Sequence, residues 1–380
     1  MPSYEECIAK IANEVSVQKE DRQKYTKDYE VIINNIMELM QKTDPVFKKI
    51  YRGPSLFGSY LDNIKLVAPD EFDVHFLLQF PFHESIKVER DFQRPGNVKL
   101  QLPLTSYVYG TNSELVWQHF KNLADSSRYF MIDKLKDWVK EILEKAQIDK
   151  YYVNTPGGGK YQLKYITKGV AHTVICKNVN DGREISLDLV PAFKIDLSHW
   201  CNNNWFAERE FPSIVGQNQR FYFAVPKPCG RDRDANISFS MCMPHLEKDL
   251  INGKQNLKPT LRLLKSIRDK IDGGYLMKSY FIKVVCMNAN EGYVRHYAFW
   301  NKPLGELLLL MLDEVINCLN RECIRNYWNP SKNLLEGLPS QKVSDLKQSF
   351  QKVKNDLNTF SRQRDVNYHE IRRLFGESVV

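Results

Sequence analysis

The sequence predicts an α+β protein in two parts: a long N-terminal spine helix with a mixed β-sheet core over residues 1–200, and a mostly helical lobe over 201–380. Three observations carry this. At 380 residues the chain is too long for one ordinary hydrophobic core. Apolar runs of period two alternate with helical runs up to about residue 200, the pattern of a sheet flanked by helices. From Pro244 onward the apolar period is almost wholly helical.

Taken in order, the first element is expected to be one helix from about Tyr4 to Lys42. Ile8, Ile11 and Val15, then Tyr25, Tyr29, Ile32, Ile36 and Leu39 recur at helical spacing. Its middle, Gln18 to Lys27, is charged and polar on all sides, so it should face solvent or a ligand. The segment Gly53-Pro54-Ser55-Leu56-Phe57-Gly58-Ser59 then interrupts the pattern. Gly58 lets backbone come close to a phosphate, and Ser59 offers a hydroxyl and an N–H. From Glu71 to Leu78, Phe72, Val74, Phe76 and Leu78 alternate with Glu71, Asp73 and His75, which predicts a strand with both acids on one face. Helices follow over Trp117–Ala124 and Tyr129–Ala146, and Gly157-Gly158-Gly159-Lys160 reads as a hairpin turn because it lacks phosphate-loop spacing. In the run Glu184 to Val190, Ile185, Leu187 and Leu189 face one way and Ser186 and Asp188 the other. Leu304–Leu319 and Gln341–Phe360 are the clearest amphipathic helices of the second part, and the catalytic cleft is expected between the two parts.

An isolated acid-x-acid pair is by itself no more than an exposed strand face. The order Gly-Ser turn, acid-x-acid strand and third acid in a second strand changes that reading. Acids gathered on one sheet face repel each other unless a divalent cation sits among them, and Mg²⁺ prefers carboxylate and phosphate oxygens. Three carboxylates around two metals are the equipment of in-line phosphoryl transfer, so the set implies a site that joins nucleotides.

Around that set the chain resembles the cyclic GMP-AMP synthase-like receptors, a nucleotidyltransferase-fold family, over nearly its whole length. The motifs that carry the resemblance are Phe221 to Lys227 ending in Val-Pro-Lys, Ile237-Ser238-Phe239-Ser240, His245-Leu246-Glu247-Lys248, Leu261 to Lys265, and Lys278-Ser279-Tyr280. The resemblance implies a bilobal nucleotidyltransferase fold and Glu71, Asp73 and Asp188 as catalytic ligands of Mg²⁺ or Mn²⁺. It implies nucleotide contacts from Gly58, Ser59, Lys227, Ser240, Lys265 and Ser279, with a base stacked on Tyr280. It also implies a nucleic-acid face formed by Lys19 and Arg22 on the spine together with Lys248, Lys254, Lys258 and Arg262. Taken alone, Tyr280 reads rather as a core aromatic and Lys265 as a solvated helix residue, and lysines and arginines are common on any soluble surface.

Two departures shape the expectation. Where vertebrate relatives carry a zinc-bound thumb, this chain has Leu250 to Lys258 with no cysteine, and no Cys/His cluster elsewhere has ligand spacing, so no zinc is expected. The thumb-less insect branch is associated with double-stranded RNA, which becomes the expected activator, with ATP and GTP as substrates. Asn236 stands where vertebrate relatives have arginine, so base order and linkage of the product are left open. Two other readings stay open: a non-catalytic nucleic-acid-binding relative, and a templateless enzyme making linear 2′-5′ oligonucleotides.

Composition agrees with a polyanionic partner. Lys and Arg number 54 against 46 Asp and Glu, a net charge of +8. The eight cysteines show no paired spacing and read as reduced cytosolic thiols. The amino terminus lacks a signal-peptide pattern, and the longest apolar run, Leu307 to Leu312, is too short to span a membrane. A cytoplasmic protein without membrane attachment is expected, with oligomerisation on RNA left open.

Overall fold

The computed structural model describes residues 2–66, 68–104, 111–168, 171–196, 221–227, 233–292 and 298–376. In chain order its helices and strands begin with α1 (Tyr4–Glu14), α2 (Lys19–Thr43), α3 (Pro45–Ile50), β1 (Tyr51–Phe57), the short α4 (Gly58–Leu61) and β2 (Glu71–Leu78). Next come β3 (Lys87–Arg90), β4 (Asn97–Gln101), α5 (Thr111–Asn122), α6 (Ile132–Lys145), β5 (Tyr152–Asn154), β6 (Lys160–Lys168), β7 (Ala171–Asn178) and β8 (Glu184–Asp196). The series closes with β9 (Phe221–Val225), β10 (Phe239–Cys242), α7 (Pro244–Ile251), α8 (Leu257–Lys270), α9 (Ser279–Gly292), α10 (Leu304–Asn320), α11 (Ser340–Ser361) and α12 (Tyr368–Arg372). The described residues pack as two compact units. One gathers residues 1–21, 59–69 and 247–380, and the other 22–58 and 70–246.

The spine expected as one helix is two. Helix α1 ends at Glu14, and α2 begins at Lys19. The reason lies in Val15-Ser16-Val17, where β-branched residues disfavour helix and serine competes for backbone groups. The Ser16 hydroxyl donates to the Ala12 carbonyl at 2.7 Å, the Gln18 amide caps the Asn13 carbonyl, and Ser16 forms an antiparallel bridge with Leu66. Residues 18–21, 23, 24 and 27 are exposed, as the polarity of that stretch predicts.

The sheet belongs wholly to the second unit. Its order is β3-β4-β10-β9-β8-β7-β6-β5, with β2 joined to β8 and β1 to β2. All pairings are antiparallel except β2 with β8, which makes the sheet mixed as expected. One face is apolar. Phe72, Val74, Phe76 and Leu78 on β2 and Leu187, Leu189 and Phe193 on β8 are buried. Tyr29 of α2 stacks on Phe72 at 4.5 Å, and Phe47 of α3 meets Phe76 edge-on at 5.7 Å. Phe80, Phe120 and Phe193 extend this core at ring separations of 4.7 and 4.9 Å. The Gly157-Gly158-Gly159 segment turns β5 into β6, with Gly158 at φ +79.

The other unit is helical. Its core contains Ile8 and Ile11 of α1, Leu261 and Leu264 of α8, Ile282 of α9, Leu308, Met311 and Val315 of α10, and Phe350 of α11. Among the described residues, no helix is long and apolar enough to cross a membrane. Cys7, Cys176, Cys242, Cys286, Cys318 and Cys323 are free thiols, while Cys201 and Cys229 lie outside the described residues.

Candidate active site

Strand register brings the acids together. Parallel pairing sets Asp73 of β2 opposite Asp188 of β8 and Glu71 opposite Ser186. Paired residues of adjacent strands lie about 5 Å apart, so two carboxylates share one edge of the polar face. On the far side of Asp188, β7 places Thr173 in register, and its hydroxyl donates to Asp188 Oδ1 at 2.6 Å. On the far side of Asp73 stands Phe57, the last residue of β1. Gly58 follows at φ +65, and a Cβ there would sit 2.1 Å from Asp73 Oδ2. Both the backbone conformation and the approach of the carboxylate therefore require glycine. Ser59 is half-buried in the first turn of α4.

The donor set tells what this face can hold. Among the described residues, no three of His, Cys, Asp and Glu are arranged to hold a metal ion by themselves. Asp73 and Asp188, with Glu71 exposed two residues along the same strand face, fit a different kind of site. Mg²⁺ commonly takes one or two carboxylates and completes its shell with water and substrate phosphate.

Beyond the acids the same face becomes aromatic. His75, 3% exposed, stacks on Phe57 at 4.0 Å and meets Phe223 edge-on. Burial, helped by the positive charge of Lys227, pushes the His75 pKa down to about 3, so the ring is neutral. Lys227 follows β9. Its Nζ lies 5.3 Å above the Phe57 ring and donates to Cys242 Sγ at 3.3 Å. Ser240 is half-buried on β10, in register with Val225 and Asn97. The neighbouring Ser238 is fully buried and donates to Asp91 at 2.5 Å, while Asn236 Oδ1 accepts the Asp133 N–H at 3.0 Å in the first turn of α6.

The helical unit holds the rest of the expected residues. Lys265 is 4% exposed and donates to the Ile64 carbonyl at 2.7 Å; burial lowers its pKa to about 8. Ser279 Oγ accepts Arg268 Nη1 at 2.6 Å, and the Tyr280 hydroxyl donates to Glu247 at 3.0 Å. Of the basic residues, Lys254 donates to the Leu250 carbonyl at 2.6 Å, Lys258 to Asn252 Oδ1 at 2.6 Å and Arg262 to the Asn63 carbonyl at 3.0 Å. Lys19 is exposed, while Arg22 and Lys248 are half-buried.

Sequence reading missed several participants. Thr173 becomes visible only through the register of a strand pair. His75 and Phe57 could have been found, since both occupy positions flanking or alternating with the acids. The buried trio Asp62, Glu247 and Lys283, in which Lys283 donates to both carboxylates, joins residues up to 221 positions apart and left no local signal.

The Mab-21 protein nucleotidyltransferase domain matches residues 60–253, and the Mab-21 protein HhH/H2TH-like domain matches residues 256–354. A Drosophila melanogaster protein named cyclic GMP-AMP synthase-like protein is 29% identical over 373 residues, covering 97% of each chain. A cyclic GMP-AMP synthase-like receptor of Drosophila eugracilis is 30% identical, covering 88% of this chain and 86% of its own. A receptor of the same name from Tribolium castaneum is 27% identical over 84% of this chain and 80% of its own.

Proposed function

The chain belongs to the Mab-21 nucleotidyltransferase family, and from that premise we propose an innate immune sensor that, on binding double-stranded RNA, makes a cyclic GMP-AMP-type dinucleotide from ATP and GTP. The observation that carries the reading is the register pair Asp73 and Asp188, with room made for Asp73 by Gly58, inside a nucleotidyltransferase domain. The names of the relatives support the product class.

In this reading Asp73 and Asp188, with Glu71 beside them, hold Mg²⁺ or Mn²⁺. Such ions make a ribose hydroxyl a better nucleophile and neutralise the departing pyrophosphate. The hydroxyl oxygen forms a bond to the α-phosphorus of a second nucleotide as the bond to pyrophosphate breaks. The hydroxyl proton leaves to solvent. A linear dinucleotide forms first, and a repeat of the step on the other hydroxyl and triphosphate closes it. Thr173 ties one Asp188 oxygen and thereby sets the plane of that carboxylate. Gly58 and Ser59 meet the triphosphate through backbone N–H and hydroxyl, and Lys227 and Ser240 line the nucleotide. Ser279 contacts phosphate and Tyr280 stacks a base, worth about 1–3 kcal/mol. Lys19, Arg22 and Lys248 supply phosphate contacts to the duplex, which is read by shape rather than sequence, and Lys254, Lys258 and Arg262 add theirs only by leaving the acceptors they hold in the free chain. Lys265, 4% exposed and donating to the Ile64 carbonyl, receives no direct contact here.

The test is incubation with Mg²⁺ and radiolabelled ATP and GTP, with no ligand, double-stranded DNA or double-stranded RNA, followed by phosphatase and thin-layer separation. The expected result is a phosphatase-resistant spot with RNA only. A ladder of phosphatase-sensitive products would replace this reading with a linear polymerase. Blank lanes throughout, from protein that binds RNA, would replace it with a non-catalytic receptor.

A further inference from the structure

Three cations converge on three consecutive residues. Lys283 of α9 donates to the Asp62 carboxylate, Arg262 of α8 to the Asn63 carbonyl at 3.0 Å, and Lys265 of α8 to the Ile64 carbonyl at 2.7 Å. The stretch so held is closed on itself. The Ile64 N–H donates to the Ser59 carbonyl at 3.0 Å and the Asn63 N–H to the Tyr60 carbonyl at 3.2 Å. Asn63 takes the left-handed conformation, φ 58, that ends the turn.

Behind it stands a buried polar group. Lys283 also donates to Glu247 at 2.8 Å, and Glu247 Oε1 accepts from the Tyr280 hydroxyl at 3.0 Å and Trp328 Nε1 at 3.1 Å. Lys283 and Asp62 are 5% and 1% exposed. Asp62 Oδ1 is buried with no partner among the described residues, so the carboxylate is gripped from one side only. Burying charged side chains is costly, and methionine or leucine would fill the same space without that cost. A hydrophobe would leave Asp62, Asn63 and Ile64 without directional partners, and direction is what the cations add.

We propose that Lys283, Lys265 and Arg262 are positioning residues for nucleotidyl transfer: by gripping residues 62–64 they fix where Ser59, three residues upstream of Asp62, stands. They touch no substrate and act through the chain. The inference rests on the proposed function only for what Ser59 does there.

Hydrogen–deuterium exchange of the full chain, without nucleotide or RNA, tests it. Asp62→Asn keeps the shape and leaves Lys283 balanced by Glu247, so the fold is retained. Arg262→Gln, on the partly exposed member, is a second variant that does not depend on the buried group. In both, the peptide covering residues 59–66 is expected to exchange about tenfold faster, because Asp62→Asn takes the negative charge from the Lys283 bond and Arg262→Gln withdraws the guanidinium from the Asn63 carbonyl, with α8 and α9 unchanged. In the synthesis assay both should lower kcat while leaving KM for ATP in place. Unchanged exchange in both variants, or a rise shared equally by α8 and α9, would overturn the proposal. The exchange result stands without catalysis, so a chain that makes no cyclic product removes the function reading separately.

Discussion

Gly58 shows how a single residue can fix a site. Its positive φ and the 2.1 Å that would separate a Cβ from Asp73 Oδ2 leave no place for a side chain. Gly58→Ala should cost about 2 kcal/mol of stability and displace Asp73, with synthesis falling by more than tenfold. Urea denaturation beside the product assay separates the two losses. Asp188→Asn keeps shape and the Thr173 contact but removes a charge, so synthesis should be abolished while RNA binding and melting temperature stay put. Parallel loss of binding in a folded variant would contradict the assignment. His75 adds a pH signature. Its folded pKa of about 3 lies below the ordinary histidine value of about 6.5, so between those values the unfolded chain binds a proton that the native one does not. Stability therefore falls as pH drops through that window, by about 2 kcal/mol between pH 7 and pH 5. His172, pushed to about 4 chiefly by burial, acts in the same direction. His75→Met should flatten the decline, measured as urea midpoints at the two pH values; an equally steep fall in the variant would exclude His75 as its source.

At the scale of elements, alternation and helical period were enough to find both acidic strands, the hairpin turn at Gly157 to Gly159 and the amphipathic helices α10 and α11. They were not enough for the spine, because periodicity continues across Val15-Ser16-Val17 while the local hydrogen bonds of Ser16 and Gln18 stop the helix. Nor does the linear sequence reveal partners made by long-range register. That Asp73 faces Asp188 depends on a parallel pairing across 115 positions, and the Lys283 group depends on helix packing. A single cut after residue 200 is the division a linear reading offers, whereas contacts gather residues 59–69 with the carboxy-terminal helices. The break also places Lys19 at the first turn of α2, with Arg22 one turn later. If that turn meets the duplex, Lys19→Glu combined with Arg22→Glu should remove RNA-stimulated synthesis and leave the melting temperature unchanged. Undiminished stimulation would take α2 out of the proposed RNA face.

For the molecule as a whole, the excess of eight positive charges says only that a polyanion is welcome; salt dependence says how many phosphates are met. Each phosphate contact steepens the fall of log K with log salt by about 0.9. The six basic residues that the resemblance offers would together give a slope of about −5. The structure argues for a smaller value. Lys254, Lys258 and Arg262 already donate to Leu250, Asn252 and Asn63, and phosphate must displace those acceptors before a counterion is released. With these three retained, the expected slope is about −3, read by fluorescence anisotropy of a labelled duplex in rising potassium chloride. A slope near −5 would mean that these three, Arg262 among them, leave their acceptors on binding. The peptide covering residues 59–66 should then exchange faster with RNA than without it. In that case the duplex would act on Ser59 through the same bond that holds it in the free chain, and Arg262→Gln should abolish the RNA-dependent change in exchange.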